Sequence, residues 1–321
     1  MSFETLPTRP VICGRFVHLL IVYVVWGSTY FAVKLAIGNG SLVTPLQLQT
    51  WRMWSAGALL LAVAFVKMRT FPRIQARHIH LCVVSGIAMW VFGNGLATLA
   101  STTAASVFIV MAMGMIPIWT TLFTALTDKK MPSTRVLTGL LMGISGLILV
   151  FGSPIYDRQA SADVTAHNWW NVLILTGAAT TWSLGTLAQR PLLSVISPLW
   201  AAPFQMLIAA LILTGLCAWE GQSLVPPADV DADQILAFLY LVVYGSAVCL
   251  ISYMQVLVSF SPTIASTFAY VNPIVGIALG WAFLHETPTL LALGGAAIIL
   301  FGVFLILRRE PTSLRRRQSE G

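Results

Sequence analysis

This chain is written twice, and no other property narrows its possible folds as far. Pro117 and Pro273 stand 156 positions apart, as do Pro132 and Pro288, which close the apolar runs that the first two prolines open. The offset persists downstream in Gly139 and Gly295, Gly146 and Gly302, and Leu149 and Leu305. Upstream it pairs Trp26 with Trp182, Ala32 with Ala188, Ser41 with Ser197, Gln49 with Gln205, and the cations Lys34 and Arg190. Between Ala97 and Ser106 the pairing is poor. One period kept over so much of the chain marks a duplicated structural unit.

The medium follows from composition. Only 9% of residues are charged and 57% are hydrophobic, with mean hydropathy +0.84, whereas a soluble domain carries roughly 25% charged residues. So few charges cannot cover a surface facing water, and lipid must be the main solvent. The net charge of +7 invites nucleic acid as a partner, but its placement suits the anionic inner face of a membrane. Cys13, Cys82, Cys217 and Cys249 stand singly, without a CxxC, which reads as buried thiols and not as a disulfide framework or zinc site. The first apolar run lacks a convincing cleavage site, so no cleaved signal peptide is expected.

A membrane-crossing helix needs ~20 apolar residues. Runs of that kind cover 17–36, 46–66, 79–99, 105–126 and 135–152 in a first half, residues 1–153. A second half, 154–321, repeats them at 169–189, 199–218, 235–255, 264–284 and 290–307 and ends in a basic tail. With the N-terminus in the cytoplasm, inner segments hold Arg9, Arg15, Lys67, Arg69, Arg73, Arg77, Lys129, Lys130, Arg135, Arg190, Arg308, Arg309, Arg315, Arg316 and Arg317. The positive-inside rule therefore sets both termini inside. Five spans is an odd number, so the second half must be inverted relative to the first. The charges agree: 67–77 carries four basic residues, while its counterpart 222–234 carries none and three acids. The expected fold is an all-α integral membrane protein of ten transmembrane helices, two inverted five-helix repeats around a central cavity. That is a transporter architecture, with the substrate site near the midplane.

The residues VVWGSTYFAVK in span one, Arg52 in TWRMW early in span two, and a proline followed by an apolar run in spans four and nine resemble the drug/metabolite transporter superfamily, in particular its ten-helix EamA-type members. The resemblance covers nearly the whole chain. It implies an inner-membrane exporter of small molecules, among which the superfamily moves amino acids, sugars, nucleotide derivatives and drugs; a nearby group exports amino acids, aromatic ones included. The glutamate that the family carries at the end of span four is replaced here by Asp128 followed by Lys129 and Lys130, whereas span nine keeps Glu286.

Candidate cargo-binding residues are the polar and aromatic side chains in mid-span. Trp26 and Trp182 are repeat-equivalent. Trp90 and Asn94 lie one helical turn apart, hence on one face. Met113, Tyr244, Tyr270 and Asn272 complete the set. An unpaired amide in hydrocarbon costs several kcal/mol, so Asn94 and Asn272 should face a cavity or another helix. The alternative for the aromatics is packing or the interfacial belt, which is the expectation for Trp51, Trp169, Trp170, Trp200 and Trp219 near span ends. Arg52 is the charge well inside a span, at an insertion cost of roughly +2.5–3.5 kcal/mol; it either ties helices together or attracts a substrate carboxylate. Pro117 and Pro273 each remove a backbone donor and clash with the preceding turn, predicting kinks that free carbonyls near Met113 and Ala269 and act as hinges or only aid packing. Gly139 with Gly143, and Gly276 with Gly280, form GxxxG pairs suited to close helix contacts or to a dimer face.

No span holds a central Asp or Glu, and no HExxH, P-loop or Gly-x-Ser-x-Gly occurs. The expectations are a transporter and not an enzyme, no cofactor or metal, a small-molecule substrate, membrane lipids and no nucleic acid as partners, and a monomer or homodimer. The favoured function is export of small amphipathic metabolites, most of all amino acids, by alternating access. Drug or other metabolite export, a membrane-embedded enzyme and a channel are the alternatives.

Overall fold

The computed structural model describes residues 12–37, 43–72, 75–101, 103–104, 106–155, 168–225, 230–284 and 289–308. The predicted boundary between halves, His285, Glu286, Pro288 and the basic tail Arg315, Arg316 and Arg317 lie largely or wholly outside these residues. No strand occurs among the described residues. The helices are α1 Ile12–Ile37, α2 Pro45–Met68, α3 Ala76–Ala100, α4 Ser106–Met113, α5 Ile116–Asp128, α6 Thr134–Ile155, α7 Asn168–Gln189, α8 Pro198–Trp219, α9 Ala232–Ser259, α10 Pro262–Ser266, α11 Phe268–Leu284 and α12 Leu290–Leu307. Helix overlies each of the ten apolar runs. Seven described helical segments are long and apolar enough to cross a membrane: most of α1, then α2, α3, α8, α9, α10 with the first part of α11, and α12.

Local chemistry sets the helix ends. Thr44, Ser197, Asp231, Ser261 and Thr289 each accept a backbone N–H of the first turn through a side-chain oxygen, which satisfies donors that the helix leaves open. Pro45, Pro198 and Pro262 sit in first turns, where a missing N–H costs nothing. Ser133 and Thr289, 156 positions apart, cap α6 and α12 alike, onto Val136 and Ala292.

Packing pairs the helices antiparallel. Along α2 and α8, Trp54 donates to Thr214, Phe65 meets Trp200 edge to face at 5.0 Å, and Gly57 packs on Leu207. Along α6 and α12 the approach is closest. A Cβ added at Gly139 would lie 2.7 Å from the Gly302 carbonyl oxygen, and one at Gly146 2.7 Å from that of Gly295. Backbone contact of this kind needs glycine on both sides. The first helix of each half packs on the other half: α1 against α9 and α11, α7 against α3 and α5. By contrast, α1 and α2 meet along only a short stretch. Gly276, expected from its GxxxG spacing to be a packing glycine, has open space where its Cβ would be, so it makes no close helix contact.

The proline segments differ from simple kinks. α4 and α5 are separated by a turn at Gly114 and Met115, and Pro117 sits in the first turn of α5. There its missing donor is no loss, so the break lies ahead of the proline. α10 and α11 are separated at Thr267, and Pro273 lies inside α11. Both breaks precede their proline, by two to three residues in one half and six in the other.

Candidate functional site

The bundle has two ends: a near end, where α1 begins and α12 finishes, and a far end, where α1 gives way to α2. A cavity of about 50 Å³ runs from the bundle centre toward the far end. Its floor is Trp26 and Trp182; its walls include Thr29 and Val33 of α1, Arg52 of α2, Asn94, Thr98 and Ser101 of α3, Met113 of α4, and Phe268 and Asn272 of α11. Both halves contribute. A water needs some 10–15 Å³ of such space and drug-sized ligands occupy about 300–1,000 Å³, so this space holds a few waters.

The floor is a cluster of rings. Trp26 meets Trp182 edge to face at 5.2 Å, Tyr253 at 5.0 Å and Phe268 at 4.6 Å. Offset and edge-on contacts of this kind add about 0.5–1.5 kcal/mol per pair beyond burial. Below it, the near end is closed by hydroxyls paired between helices. Thr186 bonds Tyr253 at 2.7 Å, Thr120 donates to Ser183 at 3.0 Å, Thr121 to Thr263 at 3.2 Å, and Tyr23 meets Thr267 at 2.6 Å.

Arg52 is 2% exposed. Its Nε donates to Ser246 Oγ at 2.6 Å, Nη2 to the Gly245 carbonyl at 3.1 Å and Nη1, weakly, to Asn94 Oδ1 at 3.4 Å; the guanidinium lies 6.0 Å from the Trp90 ring. Hydrogen bonds to a charged group contribute roughly 1.5–3 kcal/mol each, and the two short ones offset the insertion cost of about 3 kcal/mol. The side chain is therefore a tie between α2, α3 and α9 that also faces the cavity; it does not snorkel to an interface.

The tie depends on a local change of winding. Ile87–Asn94 in α3 and Leu241–Val248 in α9 are π-helical, a form that recurs at functional sites. In α9, the Cys249 N–H bonds the carbonyls of Tyr244 and Ser246 and passes over Gly245. The Gly245 carbonyl instead accepts from Trp26 Nε1 at 3.0 Å and from Arg52. In α3, the Trp90 carbonyl accepts from Gln49 Nε2 at 3.2 Å.

Of the sequence candidates, Trp26, Arg52, Asn94, Met113, Trp182 and Asn272 line this one cavity. The Asn272 Oδ1 is buried with no hydrogen-bond partner among the described residues. Trp90 is fully buried one layer out, 5.7 Å from Trp182. Tyr270 is not a wall residue: it packs on Gly143 and donates to the Leu140 carbonyl at 3.3 Å, fixing α11 to α6. Tyr244 is 51% exposed and stacks on Tyr240 on the outward side of α9. Trp200, expected in the interfacial belt, is 2% exposed among Phe65, Phe71 and Phe204; Trp169, Trp170 and Trp219 are exposed. The polar and aromatic wall residues not anticipated are Thr29, Thr98, Ser101 and Phe268. Thr98 and Ser101 were findable, since they come after Asn94 at helical spacing of four and seven.

Residues 168–308 match the EamA-like transporter family. Over 291 residues the chain is 26% identical to the Escherichia coli K12 protein named uncharacterized inner membrane transporter YedA, covering 90% of this chain and 89% of that one. It is 20% identical over 288 residues to the Bacillus subtilis protein named uncharacterized transporter YoaV (89% and 94% covered), and 25% identical over 305 residues to a WAT1-related chloroplastic protein of Arabidopsis thaliana (90% and 68%). A crystal structure of a protein at 17% identity superposes with TM-score 0.73 over 96% of this chain and 99% of the other, a likeness of fold. With its apolar crossing helices and these likenesses, the chain carries a match to the EamA-like transporter family over residues 168–308 and is similar along most of its length to proteins named as transporters; it is a multi-pass inner-membrane transporter rather than an enzyme.

Proposed function

We propose that this transporter is built as two inverted five-span repeats, ten spans with both termini cytoplasmic, and that it exports small amphipathic metabolites by alternating access, amino acids and above all aromatic ones being the favoured cargo. The observation that carries the reading is the meeting of Trp26 and Trp182, 156 positions apart in sequence, at the floor of a cavity to which both halves contribute. The inverted relation is supported by contacts that exchange into one another under the same offset. Gly139 on Gly302 becomes Gly295 on Gly146, and α1 on α9 and α11 becomes α7 on α3 and α5. A pseudo-two-fold axis in the membrane plane produces such pairs, with the cargo site where the repeats meet.

The cargo class rests on the walls. The Arg52 guanidinium favours a carboxylate, the indole and phenyl rings favour a flat apolar side chain, and the Asn272 amide offers a polar contact. A cavity of about 50 Å³ is too small for such a molecule, so loading requires the walls to part. The breaks ahead of Pro117 and Pro273 are the hinges for that motion.

The test is efflux from proteoliposomes loaded with labelled amino acids, sugars and a cationic drug. Saturable efflux of amino acids, accelerated by unlabelled amino acid outside, is the expected result. No movement of any amino acid overturns the cargo; conduction without saturation or counterflow overturns the carrier mechanism and favours a channel.

A further inference from the structure

We propose that the far-end seam between α1, α2 and α9 is a binding site for the acyl chain of a bilayer lipid. A second cavity, about 610 Å³, lies there, walled by Ala36 of α1, Leu48, Trp51 and Trp54 of α2, and Ile235 and Phe238 of α9. Its size falls in the range of sites that hold whole ligands. From Leu48 to Ser55 it descends two turns of α2, roughly 10 Å at 1.5 Å per residue. The indole and amide groups of the wall are already engaged. Trp51 Nε1 donates to the Leu224 carbonyl at 2.9 Å, Trp54 Nε1 to Thr214 Oγ1 at 2.9 Å, and the Gln234 amide bonds both Ile37 and Asp231. What faces the space is therefore mainly ring faces and methyl groups, with the Ser55 hydroxyl among them, which give water too few partners to stay and give a charged cargo no opposite charge to bind.

The occupant follows from where the space opens. Trp54 and Ile235 at its rim are 38% and 48% exposed, on the outer flank of helices that cross a membrane. The molecule that bathes this flank is lipid, and an acyl chain brings dispersion contacts to a wall that otherwise has none on one side. The seam also has a use for it. α1 and α2 meet only along a short stretch, yet together they carry Trp26, Val33 and Arg52 of the central cavity. The two spaces are one helix apart: on α2, Arg52 faces inward while Trp51 and Ser55 line the lateral cavity. An acyl chain in the seam props the wall that holds the guanidinium.

The experiment uses the full-length protein in phosphatidylethanolamine–phosphatidylglycerol vesicles doped with a phospholipid carrying a diazirine on its acyl chain. After irradiation, labelled peptides are mapped. Adducts on 48–55 and 230–238 should exceed those on the outer flank of α12, at Leu293, Leu300 and Phe304, by about tenfold, the ratio that ~1.4 kcal/mol of preference gives. Filling the space with Ser55→Trp should remove the excess, and Ile235→Trp at the rim, which needs no repacking, should reduce it. Uniform labelling of all flanks overturns the proposal, whether or not Ser55→Trp folds. So does an excess that persists in a folded Ile235→Trp protein. Loss of the excess on adding a transported amino acid reassigns the space to cargo and also overturns it.

Discussion

Along α3, at the far end, the cavity wall reads Asn94, Ala97, Thr98, Ser101; 156 positions on, along α9 toward the near end, the chain reads Leu250, Tyr253, Met254, Leu257. The first set leaves space and supplies polar atoms. The second is buried in full, with Tyr253 filling the site that Ala97 leaves open and its hydroxyl held by Thr186. Ala112 and Phe268 differ in the same sense. Positions one sequence offset apart thus line a cavity at one end and a plug at the other, and side-chain volume separates the two. Arg52 adds a second difference: its counterpart at the same offset is Ile208, so the charge belongs to one end only.

The largest effect should come from emptying the plug. Truncating a large buried aromatic costs about 3–5 kcal/mol, and Tyr253→Ala also removes one of the two partners of the Thr186 hydroxyl, which keeps its bond to the Trp182 carbonyl. The expected outcome is a strongly lowered unfolding temperature in detergent. A cysteine placed at Thr186 in a cysteine-free background should in addition become reactive to an impermeant thiol reagent applied from the near end. Persistent protection of that cysteine in a folded Tyr253→Ala protein would undo the contrast between the two ends, because the seal would then lie elsewhere.

Arg52 comes next. Arg52→Gln keeps a polar group but loses the charge and the fork that spans Ser246 and Gly245. At roughly 1.5–3 kcal/mol for a hydrogen bond to a charged group, transport should fall about 10–100-fold at unchanged expression. Arg52→Lys should recover little of it, since an ammonium cannot reproduce the planar two-point contact. Unchanged transport in both variants removes the residue from the far-end site. The α6–α12 seam offers a smaller, internally controlled effect. Gly295→Ala places a methyl 2.6 Å from the Gly146 carbonyl oxygen, whereas Gly276→Ala meets open space. Overpacking of this kind costs typically 1–3 kcal/mol, while an unopposed surface change stays within about ±0.5. Equal unfolding temperatures for the two variants would mean that the seam is not held by backbone contact.

Much of this was legible before any coordinate. Helices fall on the ten apolar runs because lipid leaves a backbone no other way to satisfy its polar groups, and the central depth of Trp26 and Trp182 in their runs marked both as cavity residues. Arg52 was legible as a problem, a charge in hydrocarbon, but not its solution, which depends on π winding in α9 that no pattern of side chains announces. Tyr244, inside the π segment of α9, and Tyr270, three residues after the break at Thr267, failed for a related reason. A residue's depth in a span is visible in sequence, but the side of the helix it occupies is shifted by each change of winding, and a π segment of eight residues rotates the remaining turns of its helix away from their ideal positions. Trp200 failed because proximity to a span end suggested the belt, while Phe65, Phe71 and Phe204 bury it.

The smallest effect tests whether polar closure at the near end is spread evenly or concentrated in its interior. Arg190 reaches both oxygens of Asp128 at 3.2 Å across the near-end mouth, with the two side chains 37% and 42% exposed. It resembles a latch, yet exposed pairs contribute only about 0–1 kcal/mol and weaken with salt. The Thr186–Tyr253 and Thr120–Ser183 pairs are buried, where a lost partner leaves a desolvated hydroxyl at a cost of roughly 1–3 kcal/mol. Asp128→Asn should therefore leave transport within about twofold, a change worth less than ~0.5 kcal/mol, and should remove what salt dependence the unfolding temperature has. Thr186→Val should cost more than Asp128→Asn at every ionic strength. The reverse order would assign the closure to the surface ion pair and make the aromatic plug a passive filler.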